Sequence, residues 1–280
     1  MKIAYVYDAV YPYVLGGVER RVWEISHRLA GRGHEVHVFG MHCWQGKKDT
    51  EQKGVLLHGT CRPFSLYKDG KRRISQAFIF GASVVRPLAS EQFDIIDCQQ
   101  FPYTSALAAL LSARLSNSRL VITWHEVWGN YWYEYLGVQG VVGKMAERIL
   151  ARNNKNPVAV SETTREGLLA AGAGGDIMVI PNGINISEIN RIEPSESESE
   201  LIFVGRLIKE KHVDLLIRSV SAMIAENPGI RCLIIGDGPE RSSLEELVNS
   251  SGLSRNVIFT GFFPDTSDVI ARMKSSQVFV

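Results

Sequence analysis

Met1-Lys2-Ile3-Ala4-Tyr5-Val6-Tyr7-Asp8, followed shortly by Pro12-Tyr13-Val14-Leu15-Gly16-Gly17-Val18-Glu19, is the stretch that decides the fold. The first run is apolar, short and closed by an aspartate; it has neither the length nor the small-residue cleavage site of a secretory leader, and it reads as a strand. Two adjacent glycines then lead into Val18, Val22, Ile25 and Leu29, which recur at helical spacing until Gly31 and Gly33 stop the helix. Residues 35–39 supply the next apolar run. Strand, glycine loop, helix, strand is the opening unit of a parallel sheet buried on both faces.

Outward from this unit the rhythm repeats. Strands are expected near 2–7, 35–39, 55–61, 94–98, 119–124, 157–160 and 177–180. Over 186–200 the periodicity is lost and like charges crowd together, the signature of a solvated connection, so a boundary there separates residues 1–185 from 186–280. The pattern restarts with Leu201–Val204 and a helix through Val213, Leu216, Ile217 and Val220, closed by Asn227-Pro228-Gly229. Strands at Cys232–Ile235 and Val257–Thr260 follow, with helices around Leu244 to Val248 and near 265–274. The sequence stops at Val278-Phe279-Val280, inside what reads as a further strand; the second sheet is therefore expected to be incomplete, since an open doubly wound domain has about five or six strands. The expected fold class is α/β, with two doubly wound, Rossmann-like domains.

A chain of 280 residues suits two domains of this kind, and 45% hydrophobic with 22% charged residues is an ordinary globular composition. A net charge of +1 is too balanced for sequence-independent binding to a phosphate backbone, which argues against nucleic acid as a partner. Cys43, Cys61, Cys98 and Cys232 form no C-x-x-C pair and read as free thiols in a reducing compartment. No apolar run approaches the ~18 residues of a membrane span, so a cytoplasmic chain is expected, soluble or resting on the membrane face.

Several loops carry residues suited to phosphate chemistry. Gly16 and Gly17, just before a helix, let backbone N–H groups approach an anion; a tight turn that binds nothing is the alternative. The sequence there is neither G-x-G-x-x-G nor a P-loop, so a dehydrogenase or NTPase gains no support. In Val204-Gly205-Arg206-Leu207-Ile208-Lys209-Glu210-Lys211 a strand reaches the carboxyl edge of its sheet, where open α/β folds bind ligands. Arg206 offers a planar fork and Lys211 a mobile point charge, a pair suited to a diphosphate; solvated surface charges are the bland reading. Gly236-Asp237-Gly238-Pro239 is a further glycine turn opening a helix, and Phe262 and Phe263 after Gly261 are placed to flank a nucleobase or to pack in the core.

Taken in order, Gly16-Gly17-Val18-Glu19, His125-Glu126, Val160-Ser161, Pro181-Asn182-Gly183, Gly205-Arg206-Leu207 with Glu210-Lys211, Gly236-Asp237-Gly238-Pro239 and Thr260-Gly261-Phe262 resemble the family 4 glycosyltransferases of the GT-B fold, over essentially the whole chain. The resemblance implies that Gly16, Gly17 and Glu19 lie in the segment contacting the donor diphosphate or sugar. It also implies that Arg206 and Lys211 bind the diphosphate and support catalysis, that Gly236, Gly238 and Phe262 line the nucleotide site, and that His125 lies near the donor sugar in the cleft between the domains. The implied activity is retaining transfer of a hexose from a GDP- or UDP-linked donor to a glycan or lipid-linked acceptor, with the nucleotide sugar as substrate and no cofactor. The family's Glu-x7-Glu element and its C-terminal crossing helix would lie beyond residue 280, and Asn185 stands where an aspartate is commoner.

Asp94 with Asp97, like Asp265 with Asp268, is spaced D-x-x-D and not D-x-D, which favours a metal-independent mechanism and no metal ligands. The aromatic stretch from Trp124 through Trp128 and Trp132 to Tyr135 reads either as an acceptor wall or as core. Lys68, Lys71, Arg72 and Arg73 precede Ile74, Ala77, Phe78, Gly81 and Val85 on one helical face, which is either a peripheral membrane contact or a charge run beside a core helix. A nucleotide-sugar epimerase of the same fold, or a non-catalytic nucleotide-sugar-binding remnant, are the competing readings.

Overall fold

The computed structural model describes residues 1–64, 67–68, 71–72, 74–196 and 199–280, and the chain divides into two compact units, Met1–Lys68 with Arg72–Gly183, and a second built on Ile184–Val280. The first unit runs β1 (Lys2–Val6), α1 (Gly17–Ala30), β2 (Glu35–Met41), β3 (Asp49–Gln52), β4 (Val55–Cys61), α2 (Ile74–Ser90), β5 (Ile95–Gln99), α3 (Tyr103–Ser116) and β6 (Arg119–Trp124). It continues with α4 (Tyr131–Leu136), α5 (Gly140–Asn153), β7 (Pro157–Ala159), α6 (Glu162–Ala171) and β8 (Met178–Val179). Its eight strands lie in the order β8-β7-β6-β5-β1-β2-β4-β3, all parallel except β3. The chain turns outward in both directions from β1, so the switch point of the sheet falls between β1 and β5, directly below the loop that carries Gly16 and Gly17.

Both faces of this sheet are covered. Phe80, Val84 and Leu88 of α2 pack with Ile96 of β5 and Ile122 and Trp124 of β6 on one side, all fully buried. On the other, Val22 and Trp23 of α1 cover Ile3, Tyr5, Val36 and Val38. Each large side chain buried in this way contributes about 1.5–3 kcal/mol. The buried stripe of α1 is Glu19, Val22, Trp23 and Ser26, with Ile25 and Leu29 only partly buried. It is rotated from the Val18, Val22, Ile25, Leu29 face read from spacing, because the indole of Trp23 takes the position against the sheet. Strand β3 was invisible to periodicity, being Asp-Thr-Glu-Gln; it exists as an edge because Lys53 (φ 49°) and Gly54 (φ 78°) form a two-residue hairpin turn back into β4.

The second unit runs α7 (Ile186–Asn190), β9 (Ser199–Val204), α8 (Val213–Met223), β10 (Cys232–Ile235), α9 (Arg241–Ser250), β11 (Val257–Gly261), α10 (Thr266–Lys274) and β12 (Ser276–Phe279). Its strands are parallel in the order β11-β10-β9-β12, which puts the switch point beside β9 and hence beside the Gly205–Lys211 loop. The core is Ile217 and Val220 of α8 against Ile234 and Val257, with Leu244 and Val248 of α9. The stretch read as a bare connection contains a helical turn, α7, whose first N–H groups are met by the Asn185 side chain accepting from Glu188 N (3.3 Å), and strand β9 begins two residues earlier than Leu201. Asparagine at that cap does the work an aspartate would do.

Candidate active site

At the carboxyl edge of the first sheet, the exits of β5 and β6 bring a set of polar side chains together next to the switch point. His125 follows β6 and is held twice: its backbone N–H donates to Gln100 Oε1 (3.0 Å), and its Nε2 lies 2.8 Å from Gln99 Oε1. The amide nitrogen of Gln99 donates to Asp97 Oδ1 (3.2 Å), so the oxygen of that amide faces the imidazole and Nε2 must carry the proton. Asp97 also accepts from Thr123 Oγ1 (2.8 Å). Gln99 and Gln100 are both buried, so the chain Thr123, Asp97, Gln99, His125 is a fixed polar array and not a mobile surface group.

The electrostatics of this array are shifted. Burial, aided by the positive charge of Arg21, lowers the His125 pKa to about 4, leaving a neutral imidazole whose Nδ1 is an acceptor. Burial raises Asp97 to about 6, against the opposing effects of the Thr123 hydrogen bond and the Arg21 charge. Arg21 itself projects from α1 and donates through Nη1 to the backbone oxygen of Pro181 (2.9 Å) and to Asn182 Oδ1 (3.0 Å), tying the Pro-Asn-Gly turn to the first helix. Ser161, the other short motif of this region, caps α6 by accepting from Thr164 N (3.1 Å).

Gly16 and Gly17 sit at the start of α1, with Gly16 in the N-cap position where it has no side chain of its own to offer. A Cβ on Gly16 would strike the Glu19 carboxylate, which lies buried over this turn, whereas a Cβ on Gly17 would meet nothing within 4 Å. Both glycines are exposed, but open space borders only Gly17, while the buried Glu19 carboxylate lies against Gly16. His125, Gly16, Gly17 and Glu19 all belong to one edge of one sheet.

In the second unit, Arg206 and Lys211 flank the exit of β9, Lys211 at the end of a single 3-10 turn (Lys209–Lys211), and both are exposed. The loop that presents them is clamped by backbone hydrogen bonds to its neighbours: Gly205 N donates to Ile235 O (3.0 Å), Leu207 N to Asp237 O (2.9 Å), Glu240 N to Leu207 O (3.1 Å) and Gly236 N to Gly261 O (2.9 Å). The glycines at 236 and 238 have a packing role here. A Cβ on Gly236, at φ +135°, would come within 1.9 Å of Gly205 O, and one on Gly238 within 2.3 Å of Leu207 O. Phe262 stands 61% exposed after β11, while its neighbour Phe263 is half-buried under the Arg272 guanidinium at 4.2 Å.

The aromatic stretch divides into core and rim. Trp124 is fully buried, and Trp128, Tyr131, Trp132 and Tyr135 cluster with ring centroids 4.6–5.2 Å from Trp128. The organiser of this cluster is Glu147 on α5, buried to 1% and accepting from Trp128 N (2.8 Å), Gly129 N (2.9 Å), Tyr103 OH (2.9 Å) and Trp132 Nε1 (3.3 Å). On the basic helical element, Arg73 lies outside the described residues, as do the side chains of Lys68, Lys71, Arg72 and Ile74. The remainder of that face, all on α2, differs in burial along its length: Gly81 packs against Thr104 of α3, Val85 is partly buried, and Phe78 is exposed. Gln99, Gln100, Arg21 and Glu147 escaped the sequence reading, and Asp97 entered it only through its D-x-x-D spacing; two consecutive glutamines closing an apolar strand were the one available signal.

Residues 15–188 match the family model for Glycosyltransferase Family 4, and residues 185–280 that for Glycosyl transferases group 1. The chain is 25% identical over 275 residues to the phosphatidylinositol N-acetylglucosaminyltransferase GPI3 subunit of Saccharomyces cerevisiae, covering 94% of this chain and 58% of that protein. It is 22% identical over 280 residues to the alpha-monoglucosyldiacylglycerol synthase of Acholeplasma laidlawii, covering 92% and 69% respectively. Among solved structures, sucrose-phosphate synthase of Thermosynechococcus elongatus superposes with a TM-score of 0.76 at 18% identity, over 99% of this chain and 74% of the other. The chain spans a little over half the length of the first of these relatives. With both of its units matched in order and its fold that of GT-B proteins, the chain belongs to glycosyltransferase family 4.

Proposed function

We propose that this chain carries the donor site and acceptor side of a retaining, metal-independent hexosyltransferase that uses a nucleoside-diphosphate sugar and a glycan or lipid-linked acceptor. The observation that carries the reading is the pair of exposed cations, Arg206 and Lys211, on a loop clamped by backbone hydrogen bonds at the switch point of the second sheet. In the reaction the anomeric carbon leaves the diphosphate oxygen and joins an acceptor oxygen, whose proton is released; charge builds on the departing diphosphate. Fixed cations aimed at that oxygen stabilise the transition state more than the ground state. In the first unit, Gly17 and the first turn of α1 offer backbone N–H groups to an anion, and His125 offers a neutral acceptor for a sugar hydroxyl through Nδ1.

Two relatives whose names contain phosphatidylinositol and diacylglycerol support a lipid-linked acceptor over a free glycan. The test is a titration of UDP- and GDP-linked hexoses into the protein and into the Arg206→Ala/Lys211→Ala double variant. Loss of about 2–3 kcal/mol, or some thirtyfold to hundredfold in affinity, is expected from removing two charge-assisted contacts. Equal affinity in the two proteins overturns the reading. Release of nucleoside diphosphate that requires an acceptor marks a transferase, and release without one marks an epimerase-type reaction.

A further inference from the structure

The first unit contains a pocket of about 360 Å³ among α2, α3, α4 and α5, whose walls are Phe101, Tyr103, Trp132 and Leu136. Its two ends differ. At the inner end are Asp8, where β1 stops, and Gln76 of α2, exposed by 2% and 3%. At the outer end are Phe78 and Val142, both more than half exposed. The inner end carries an unmet requirement: the amide nitrogen of Gln76 donates to Met41 Sδ (2.9 Å), but its buried Oε1 has no hydrogen-bond partner among the described residues. A buried acceptor without a donor costs about 1–3 kcal/mol, and a hydroxyl brought in by a ligand removes that cost.

The surface around the outer end has a chemistry of its own. Helix α5 turns Val141, Val142, Met145 and Ile149 to solvent, an apolar stripe where a globular protein's helix is ordinarily polar. Arg148 and Arg152 share the exposed side, and the helix's sole carboxylate, Glu147, is buried. On α5 itself the exposed charges beside the apolar stripe are cations, which matches an anionic lipid surface.

We propose that this pocket takes the hydrocarbon chain of a lipid acceptor, drawn from an anionic bilayer on which the exposed face of α5 rests, with a headgroup hydroxyl held by Gln76 Oε1 beside Asp8. The proposal rests on the transferase reading for the word acceptor, while the pocket and its ligand class stand on their own geometry. It places the polar end of the lipid at the same sheet edge as Gly17 and His125 and leaves the chain to run outward between the aromatic walls.

The test uses lysophosphatidylglycerol with a brominated acyl chain, below its micelle concentration, and vesicles of phosphatidylcholine with and without phosphatidylglycerol. Every tryptophan of the chain lies in the first unit, and Trp132 is in the pocket wall, so bromine in the pocket quenches intrinsic fluorescence. Saturable quenching is expected, weakened about tenfold by Val142→Glu and by Gln76→Leu, the second a substitution that removes the acceptor without removing volume. Vesicle co-sedimentation is expected only with phosphatidylglycerol, and to fall on Arg148→Glu/Arg152→Glu. Absence of saturable quenching, or quenching indifferent to both pocket variants, overturns the pocket; binding to neutral vesicles unchanged by the arginine variants overturns the anionic surface. The Arg206→Ala/Lys211→Ala variant separates the two readings. If it loses nucleotide-sugar affinity while lipid quenching is missing in all proteins, the transferase stands without the pocket; if quenching is present but no nucleotide sugar binds wild type, the pocket stands without the transferase.

Discussion

The two units place their functional groups by the same topological rule and hold them in opposite ways. In both, the strand from which the sheet winds outward in two directions ends in a glycine-containing loop. In the first unit the groups beyond that loop are buried and chained to one another: Thr123 to Asp97, Asp97 to Gln99, Gln99 to His125. In the second, Arg206 and Lys211 are exposed, and the backbone beneath them is held by hydrogen bonds to neighbouring loops. Under the proposed function, the buried array would give a sugar a preorganised, poorly solvated wall, and the exposed cations would attract a diphosphate that must also leave. The difference predicts that polar residues of the first unit are coupled to folding and those of the second are not.

The largest effect falls on Glu147. Replacing it with Ala leaves two backbone N–H groups, an indole and a phenol without their acceptor in a dry site, and about 3–5 kcal/mol of stability is expected to go, read as a shift in urea unfolding followed by tryptophan fluorescence. Because all five tryptophans are in the first unit, this signal reports that unit by itself. A loss below 1 kcal/mol would mean that the array is not structural. Next comes Gly236→Ala, where the added Cβ meets Gly205 O in a left-handed backbone. About 3 kcal/mol is expected, seen as faster amide exchange in β9 and β10 with the fluorescence transition unmoved. Movement of both signals would break the separation between the units.

A smaller effect concerns pH, and its sign depends on which partner is removed. Between pH 4 and 6, His125 stays neutral in the native state while the unfolded chain protonates it, and Asp97 stays protonated while the unfolded chain ionises it. Native and unfolded states then bind the same number of protons at this pair, and its contributions to the pH slope cancel. In Asp97→Asn only the depressed histidine remains, so stability rises with pH from about 4 to about 6.5. In His125→Asn only the raised carboxyl remains, so stability falls as pH climbs from about 4 to about 6. Each slope integrates to about 2 kcal/mol after solvent screening, in opposite directions, and denaturation at a series of pH values measures it. Parallel profiles for the two variants would mean that the pair is not buried as one array.

How much of this was legible before the structure follows the same division. Most strands were readable because Val and Ile runs are local signals, and Gly205-Arg206 marked a strand exit for the same reason. Edge strand β3 was not, since its pairing comes from a hairpin turn and its residues are all polar. Gly236 and Gly238 were legible as a glycine turn opening a helix, but what forbids a side chain there is the Gly205–Leu207 backbone, a contact between segments about thirty residues apart. The roles of Gln99, Asp97 and Glu147 were missed for a related reason: a polar residue in an apolar strand or on an amphipathic helix acquires its meaning from partners that only the tertiary fold supplies.

The smallest stability effect is the sharpest test of the contrast. Arg206 and Lys211 are exposed, so replacing both with Ala opens no cavity in the core, and the unfolding free energy should stay within about 0.5 kcal/mol of wild type. The same double change is the one expected to weaken nucleotide-sugar binding most. Amide exchange across β9 and β10 measures the first quantity, since the clamping hydrogen bonds from Gly205, Leu207 and Gly236 are made by backbone atoms that the substitution leaves in place. If exchange accelerates there, the side chains are holding the loop, and the second unit is built like the first. If exchange is unchanged while affinity falls, the loop is rigid without its cations, and their energy is available to the ligand alone.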